Sequence, residues 1–179
     1  GPKDVNDCVQ WFAKMKSEQL QWLDKALAAS DADWLIVVTH FNMEYVFQEL
    51  LPLGKKYGVD LFITAHRHQQ EIHYKDNVLP MGNIPWIISG GGGGITSEGN
   101  PEYDGHVLTQ YGFFDIEIQK DKLIIDLWSH TGNKLSSTTT VPVAPGDPGA
   151  EEMKSLGTQG GSCANYGCVG FTKGHACQC

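Results

Sequence analysis

Two apolar segments of the sequence each run into a histidine, and a helix-like segment lies between them. The β-branched run 34–39 leads into His40, and the run 59–64 leads into an H-x-H motif formed by His66 and His68. Continuous apolar runs of this length predict strands that other elements cover on both faces. Because parallel strands joined by a helix end at the same edge of a sheet, we expect the three histidines to lie at that edge.

Helix and strand signals surround this unit. One helix is predicted to begin at Ser17 as its N-cap, and another to run from Glu44 to Tyr57, with Pro52 kinking or restarting it. Beyond residue 70, strand-like segments favour an antiparallel or mixed sheet: 71–75, 85–89, 111–118 and 122–129. From residue 138 the chain is rich in Thr, Pro and Gly, which is typical of a linker. The sequence therefore predicts an α/β fold.

The three histidines are more informative as a set than singly. A lone His after a strand is usually an ordinary surface or core residue. Here two buried strands each end in His, and the H-x-H spacing of His66 and His68 aims two imidazoles at neighbouring points. That arrangement suits two adjacent metal ions or one shared ion, and imidazole binds zinc, iron and manganese. We therefore predict a metal site at His40, His66 and His68.

Composition limits the classes of partner. The formal net charge is −8 and the pI is about 5.2, which argues against nucleic-acid binding because that needs clustered Lys and Arg. No apolar run reaches the roughly 18 residues that a membrane-spanning helix needs. An acidic surface does not argue against a phosphate substrate, because bound metal ions reverse the local field.

Other polar and glycine-rich features have weaker interpretations. His73 alternates with Glu71 and is predicted to be a surface residue, whereas His106 is a distant candidate for proton transfer. The five glycines Gly90–Gly94 lack the following Lys-Ser/Thr of a phosphate-binding P-loop. We interpret them as a flexible passage from strand to loop, with close approach of a substrate as the alternative.

The order of these motifs resembles that of the calcineurin-like metallophosphoesterases, and most of all that of the tartrate-resistant purple acid phosphatases. The strand ending on His40 and the A-H-R-H segment 65–68 resemble the last two metal motifs of that family. The Q-L-Q-W-L segment 19–23, the strand and S-G-G-G-G loop 86–93, and the closing pair 112–134 follow in the same order. The resemblance covers roughly residues 17–142.

The resemblance implies a two-metal centre, with iron beside zinc, manganese or a second iron. His40 and His66 would bind one ion, and His68 would bind the other. Asn42 and Glu44 are weak candidates for binding phosphate oxygen and for proton donation, because the family's further loop histidines are not found there. Ala65 replaces a family glycine, which matters if the backbone there needs a positive φ.

The resemblance also implies a domain organisation. Residues 1–143 would form the C-terminal half of a four-layer α/β/β/α sandwich, with residues 144–160 as a linker. We expect the chain to begin after the N-terminal family motifs, so the missing N-terminal half would supply the remaining ligands. The chain alone should then bind metal weakly and be inactive.

A cysteine-rich tail, residues 161–179, completes the chain. Its four cysteines resemble the first half of a somatomedin-B-like module, which implies disulfides and an extracellular protein partner: Cys163, Cys168, Cys177 and Cys179. A zinc knuckle is the competing interpretation. Cys8 stands apart from them, and with five cysteines at least one lacks a partner within the chain.

The sequence thus predicts a metal-dependent phosphatase of the acid phosphatase type that hydrolyses phosphomonoesters. Its location would be secreted, secretory or vacuolar. Two alternatives stay open. One is a phosphodiesterase of the same superfamily, and the other is a non-catalytic scaffold whose tail binds an extracellular protein.

Overall fold

The described part of the chain contains two helices and seven strands. A computed structural model describes residues 1–76, 78–93 and 111–146. The elements in chain order are α1 (Val5–Ala28), β1 (Ile36–Val38), α2 (Met43–Tyr57), β2 (Leu61–Thr64), β3 (Gln70–His73), β4 (Trp86–Ser89), β5 (Gly112–Ile118), β6 (Leu123–Ser129) and β7 (Lys134–Thr140). This mixed α/β architecture with two sheets confirms the predicted fold class. His106, Gly94 and the cysteine-rich tail lie outside the described residues.

The first sheet has the strand order β1-β2-β4-β3. β1 and β2 are parallel, with Val37 opposite Phe62, and β2 and β4 are also parallel. β3 runs antiparallel to β4, with Glu71 opposite Ile88. Because α2 connects β1 to β2, their carboxyl ends lie at one edge, as the sequence predicted.

The second sheet is antiparallel and has the order β5-β6-β7. β7 overturns the prediction that the chain loses regular structure from residue 138, because the strand continues to Thr140 and that residue is fully buried. Its run of Ser and Thr has no apolar alternation, so the residue pattern does not predict a strand. Pairing with β6 determines the strand instead, from Lys134 opposite Trp128 to Thr140 opposite Leu123.

The two sheets pack face to face, and the helices cover the other face of the first sheet. Leu61 and Ile87 of the first sheet pack with Leu123 and Ile125 of β6. On the opposite side, side chains of both helices join the strand residues in a second cluster: Leu20, Leu23, Leu27, Met43, Leu50, Leu51, Phe62, Trp86 and Ile88. The described residues therefore form α, β and β layers. The outer helical layer of the expected sandwich is not among them.

Helix α1 begins at Val5, well before the predicted start at Ser17. Asp4 is its N-cap, and the Asp4 carboxylate accepts hydrogen bonds from the backbone N–H groups of Asn6 at 2.8 Å and Asp7 at 3.0 Å. An Asp in this role satisfies donors that the first turn leaves unpaired. The leucine spacing after Ser17 marks where the helix meets the core rather than where it starts.

Helix α2 runs without interruption from Met43 to Tyr57 with Pro52 inside it, so the predicted restart is wrong. It ends at Gly58, whose φ of 71° is the left-handed conformation that glycine adopts readily at helix C-termini. Within the described residues, neither helix is apolar and long enough to cross a bilayer.

Asp60 ties distant segments of the chain together. Its buried carboxylate accepts hydrogen bonds from the backbone N–H of Leu35 at 2.8 Å and that of Val143 at 2.7 Å. Burial raises the pKa of Asp60 above its usual value, although these two hydrogen bonds oppose the shift. The contact fastens the segment after β7 beside the start of β1 and β2.

Candidate metal centre

The histidine-bearing loops lie side by side at the edge where β1 and β2 end. The backbone ladder continues past both strands, since the N–H of Thr39 donates to the carbonyl of Ile63 at 3.0 Å. The N–H of Ala65 then donates to the carbonyl of His40 at 3.0 Å. These two hydrogen bonds align the residue after β1 with the loop after β2.

His40 and His66 come into direct contact. The distance between His40 Nε2 and His66 Nδ1 is 3.1 Å, and both side chains are exposed. Two nitrogens bound to one zinc ion at about 2.0–2.1 Å in tetrahedral geometry lie about 3.3 Å apart. The 3.1 Å distance is that of a hydrogen bond and is also close to the spacing of two ligands on one ion, so the shared metal ion that the resemblance implies stays a prediction.

His68 is exposed in the same loop, two residues after His66. Its predicted role as a ligand of a second ion stays a prediction. Across residues 1–76, 78–93 and 111–146, no group of three or more His, Cys, Asp or Glu side chains is arranged to hold a metal ion.

The backbone at His66 has an unusual conformation. Its φ is 67°, and the N–H of Arg67 donates to the carbonyl of Ala65 at 2.9 Å, which closes a γ-turn around His66. Such a conformation costs about 1–3 kcal/mol in a residue other than glycine. Ala65 is not among the positive-φ residues of the described chain, so the loss of glycine at that position causes no backbone strain.

Two aromatic rings flank the histidine pair. The ring centroid of Phe41 lies 5.1 Å from that of His40 and 4.9 Å from that of His66. The ring of Tyr45 lies 5.7 Å from that of His66, and both aromatic side chains are exposed. The pair thus has an apolar wall on the side of α2.

Asn42 and Glu44 lie at the start of α2, close in sequence to His40. Asn42 is the N-cap residue and is fully buried, and its amide nitrogen and oxygen have no hydrogen-bond partner among the described residues. Glu44 Oε2 lies 3.0 Å from Arg67 Nη2. The ion pair therefore occupies one oxygen of the Glu44 carboxylate, the group that we named above as a weak candidate for proton donation.

Gly90 packs tightly against the H-x-H loop, so the interpretation of the glycine run as a flexible passage does not hold for this residue. Its N–H donates to the carbonyl of Gln69 at 2.9 Å. A Cβ atom at Gly90 would lie 1.8 Å from the carbonyl oxygen of Arg67, whereas one at Gly92 would meet nothing within 4 Å. Sequence reasoning missed this requirement, because a run of glycines does not show which member is tightly packed.

His73 is not the surface residue that the sequence predicted. Its Nε2 lies 2.7 Å from Glu71 Oε2, its Nδ1 lies 2.6 Å from Asp76 Oδ2, and its ring stacks on Trp86 at 3.9 Å. Burial lowers the pKa of His73, but the two carboxylates raise it by more, so that the pKa lies above its usual value. Alternation along β3 places Glu71 on the same face as His73, but it does not identify Asp76 and Trp86 as contacts.

Sequence and structure comparisons point to one group of proteins. No protein-family model matches the chain. A curated relative, tartrate-resistant acid phosphatase type 5 from Homo sapiens, is 23% identical over 156 residues, which cover 76% of this chain. Those residues cover 44% of the relative, so the chain spans less than half the length of the protein it matches.

Two solved structures share the fold. The purple acid phosphatase PPD1 from yellow lupin (Lupinus luteus) seeds superimposes with a TM-score of 0.53 at 22% identity, covering 69% of this chain and 28% of that one. GAP50, the anchor in the inner membrane complex of Plasmodium, gives a TM-score of 0.53 at 18% identity, covering 81% of this chain and 50% of that one. The described residues thus share a fold with part of the lupin purple acid phosphatase and part of GAP50.

Proposed function

We propose that this chain forms one side of the active site of a two-metal phosphomonoesterase of the acid phosphatase type. The observation that carries the proposal is the 3.1 Å approach of His40 Nε2 to His66 Nδ1 at the carboxyl edge of parallel strands. Similarity to acid phosphatases over 76% of the chain supports it independently.

The histidines divide between two ions in this proposal. His40 and His66 hold one ion, and His68 holds the other, with iron beside zinc, manganese or a second iron. A pair of such ions supplies positive charge for the phosphate oxygens and a water of lowered pKa as the nucleophile. The rings of Phe41 and Tyr45 line one side of the histidine pair.

We propose that ligands beyond the described residues complete the site. A zinc ion in a protein usually has four ligands, and His40 with His66 supplies two of them. The chain matches 44% of its acid phosphatase relative, which leaves room for the rest of a domain. We therefore propose that the isolated chain binds metal weakly and is inactive.

Elemental analysis and hydrolysis assays test the proposal. Purified chain should retain less than one metal ion after dialysis, and two tightly held ions per chain would contradict the partial site. In the full-length protein, His40→Ala should abolish hydrolysis of nitrophenyl phosphate, whereas Lys134→Met, in the second sheet, should leave hydrolysis unchanged. Faster hydrolysis of bis-nitrophenyl phosphate than of nitrophenyl phosphate would favour a phosphodiesterase instead.

A non-catalytic scaffold is the second candidate. The structure that covers the larger share of this chain, GAP50, is described as an anchor, and it matches 81% of the chain. Ala65 and the absence of further histidines between His40 and His66 also fit such a role. A full-length protein that folds, binds no metal and hydrolyses neither phosphoester would support the scaffold and contradict the enzyme.

We also propose that the cysteine-rich tail is a disulfide-bonded, extracellular protein-binding module, which places the protein in the secretory pathway. The support is the density of cysteines in residues 161–179. Thiol titration of the native chain should find only Cys8 reactive. Four additional thiols that appear after addition of a chelator would indicate a zinc knuckle.

A further inference from the structure

Arg67, the residue between the two histidines of the H-x-H motif, joins its loop to two other elements. Its Nη2 lies 3.0 Å from Glu44 Oε2 in the first turn of α2. The same atom lies 3.1 Å from each carboxylate oxygen of Glu71 on β3. We call these three residues the Arg67 bridge. Its side chains are partly buried, with 28% of Arg67 and 18% of Glu71 exposed, so solvent screens it less than a surface ion pair.

Glu71 is itself firmly held. Gln69 Nε2 donates a hydrogen bond to its Oε1, and His73 Nε2 lies 2.7 Å from its Oε2. His73 in turn contacts Asp76 at 2.6 Å and stacks on Trp86. The bridge therefore ends on an anchored carboxylate rather than on a mobile side chain.

The loop needs such an anchor because its backbone is strained. The positive φ of His66 persists only where the surroundings enforce it. Arg67 supplies two constraints immediately after His66. Its backbone carbonyl packs against Gly90 so closely that no Cβ fits there, and its side chain pairs with carboxylates from two elements.

We propose that Arg67 is a positioning residue: the Arg67 bridge holds the H-x-H loop in the strained turn that keeps His66 beside His40. The metal consequence rests on the proposed function, whereas the conformational part does not. All of these contacts are made by the single nitrogen Nη2, so a lysine ammonium keeps the positive charge of the bridge but lacks the rigid guanidinium plane that sets its position.

The first test needs no metal. Amide hydrogen exchange is measured in metal-free chain for wild type, Arg67→Met, Arg67→Lys and the control Lys134→Met, which removes a cation paired with Asp126 in the second sheet. Arg67→Met should speed exchange at the amide of residue 67, which donates to Ala65, by about 10-fold or more. Arg67→Lys should restore part of the protection, and Lys134→Met should leave this amide unchanged.

The second test measures zinc affinity by competition with a chromophoric chelator. Arg67→Met should weaken binding about 10- to 100-fold, as loss of a group that orients a ligand does, and Arg67→Lys should fall between. Unchanged exchange in Arg67→Met, or equal acceleration in Lys134→Met, would overturn the proposal. So would zinc binding as tight in Arg67→Met as in wild type. A full-length wild-type protein that binds no zinc would overturn the proposed function, and the exchange result would still decide the bridge.

Discussion

Two histidine environments lie seven residues apart in the chain and differ in almost every respect. His66 is exposed, adopts a positive φ and touches a second imidazole at the end of β1. His73 is mostly enclosed, with 13% of its side chain exposed, lies in a regular strand and has a carboxylate at each ring nitrogen. The sequence distinguishes them only by pattern, because His66 belongs to an H-x-H motif and His73 alternates with Glu71.

The difference separates an exposed histidine in a strained turn from one enclosed in a hydrogen-bonded network. A histidine with a carboxylate at both ring nitrogens has no lone pair directed at a metal ion, and its charged form is favoured. The 3.1 Å contact of His66 with His40 is within hydrogen-bond distance, so the cost at His66 lies in the positive φ of its backbone. Strain at His66 and a saturated network at His73 thus indicate different roles.

The largest expected difference is in zinc affinity, when the imidazole of His66 or that of His73 is removed. We expect His66→Ala to weaken zinc binding by about 100-fold or more, which is about 2.7 kcal/mol, because a direct ligand is lost. His73→Ala should weaken zinc binding far less, and by less than Arg67→Met does, because His73 reaches the H-x-H loop only through Glu71 of the Arg67 bridge. Isothermal titration with zinc measures both variants, and a His73→Ala variant that loses binding as completely as His66→Ala would erase the distinction.

Gly90 tests how tightly the loop is packed. Gly90→Ala places a Cβ against the carbonyl of Arg67, so we expect it to lower the free energy of unfolding by about 2 kcal/mol. Gly92→Ala is the matched control, because a Cβ there meets nothing within 4 Å. Urea unfolding compares the two. Equal stability of both variants would show that the glycine run is a uniform, loosely packed passage.

The raised pKa of His73 predicts a pH-dependent stability. Because folding raises this pKa, the contribution of His73 is fully present below its unfolded pKa of about 6.5 and is lost as pH rises through the folded value. The stability difference between wild type and His73→Gln should therefore shrink towards alkaline pH.

Chemical denaturation from about pH 6 to about pH 9 provides the measurement. A difference between wild type and His73→Gln that stays constant over this range would mean that the two carboxylates do not favour the charged imidazole.

The smallest expected effect concerns the strained backbone at His66. His66→Gly and His66→Ala both remove the imidazole, but only glycine adopts a positive φ without cost. We expect the Gly variant to be more stable than the Ala variant by about 1 kcal/mol in the absence of metal. Thermal unfolding of the metal-free proteins decides this, and an Ala variant of equal or greater stability would show that the turn is not strained.

The sequence by itself determined the strand-helix-strand unit and the edge at which its histidines meet. Continuous apolar runs mark β1 and β2, and the apolar stripe between them marks α2, because these patterns reflect burial that is local in the chain. His40 and His66 could therefore be placed at one edge of the sheet before any coordinates were known. The division of His40 and His66 to one metal ion and His68 to another, which the family resemblance implies, stays a prediction.

Tertiary structure decided the features that depend on partners distant in sequence. β7 is a strand because β6 pairs with it, and Gly90 must be glycine because the carbonyl of Arg67 lies against it. His73 is enclosed because Trp86 of the neighbouring strand stacks on its ring. Periodicity reports which face of an element is buried, but it does not identify the atoms that bury it. Packing, charge pairing and backbone strain follow only from the folded arrangement.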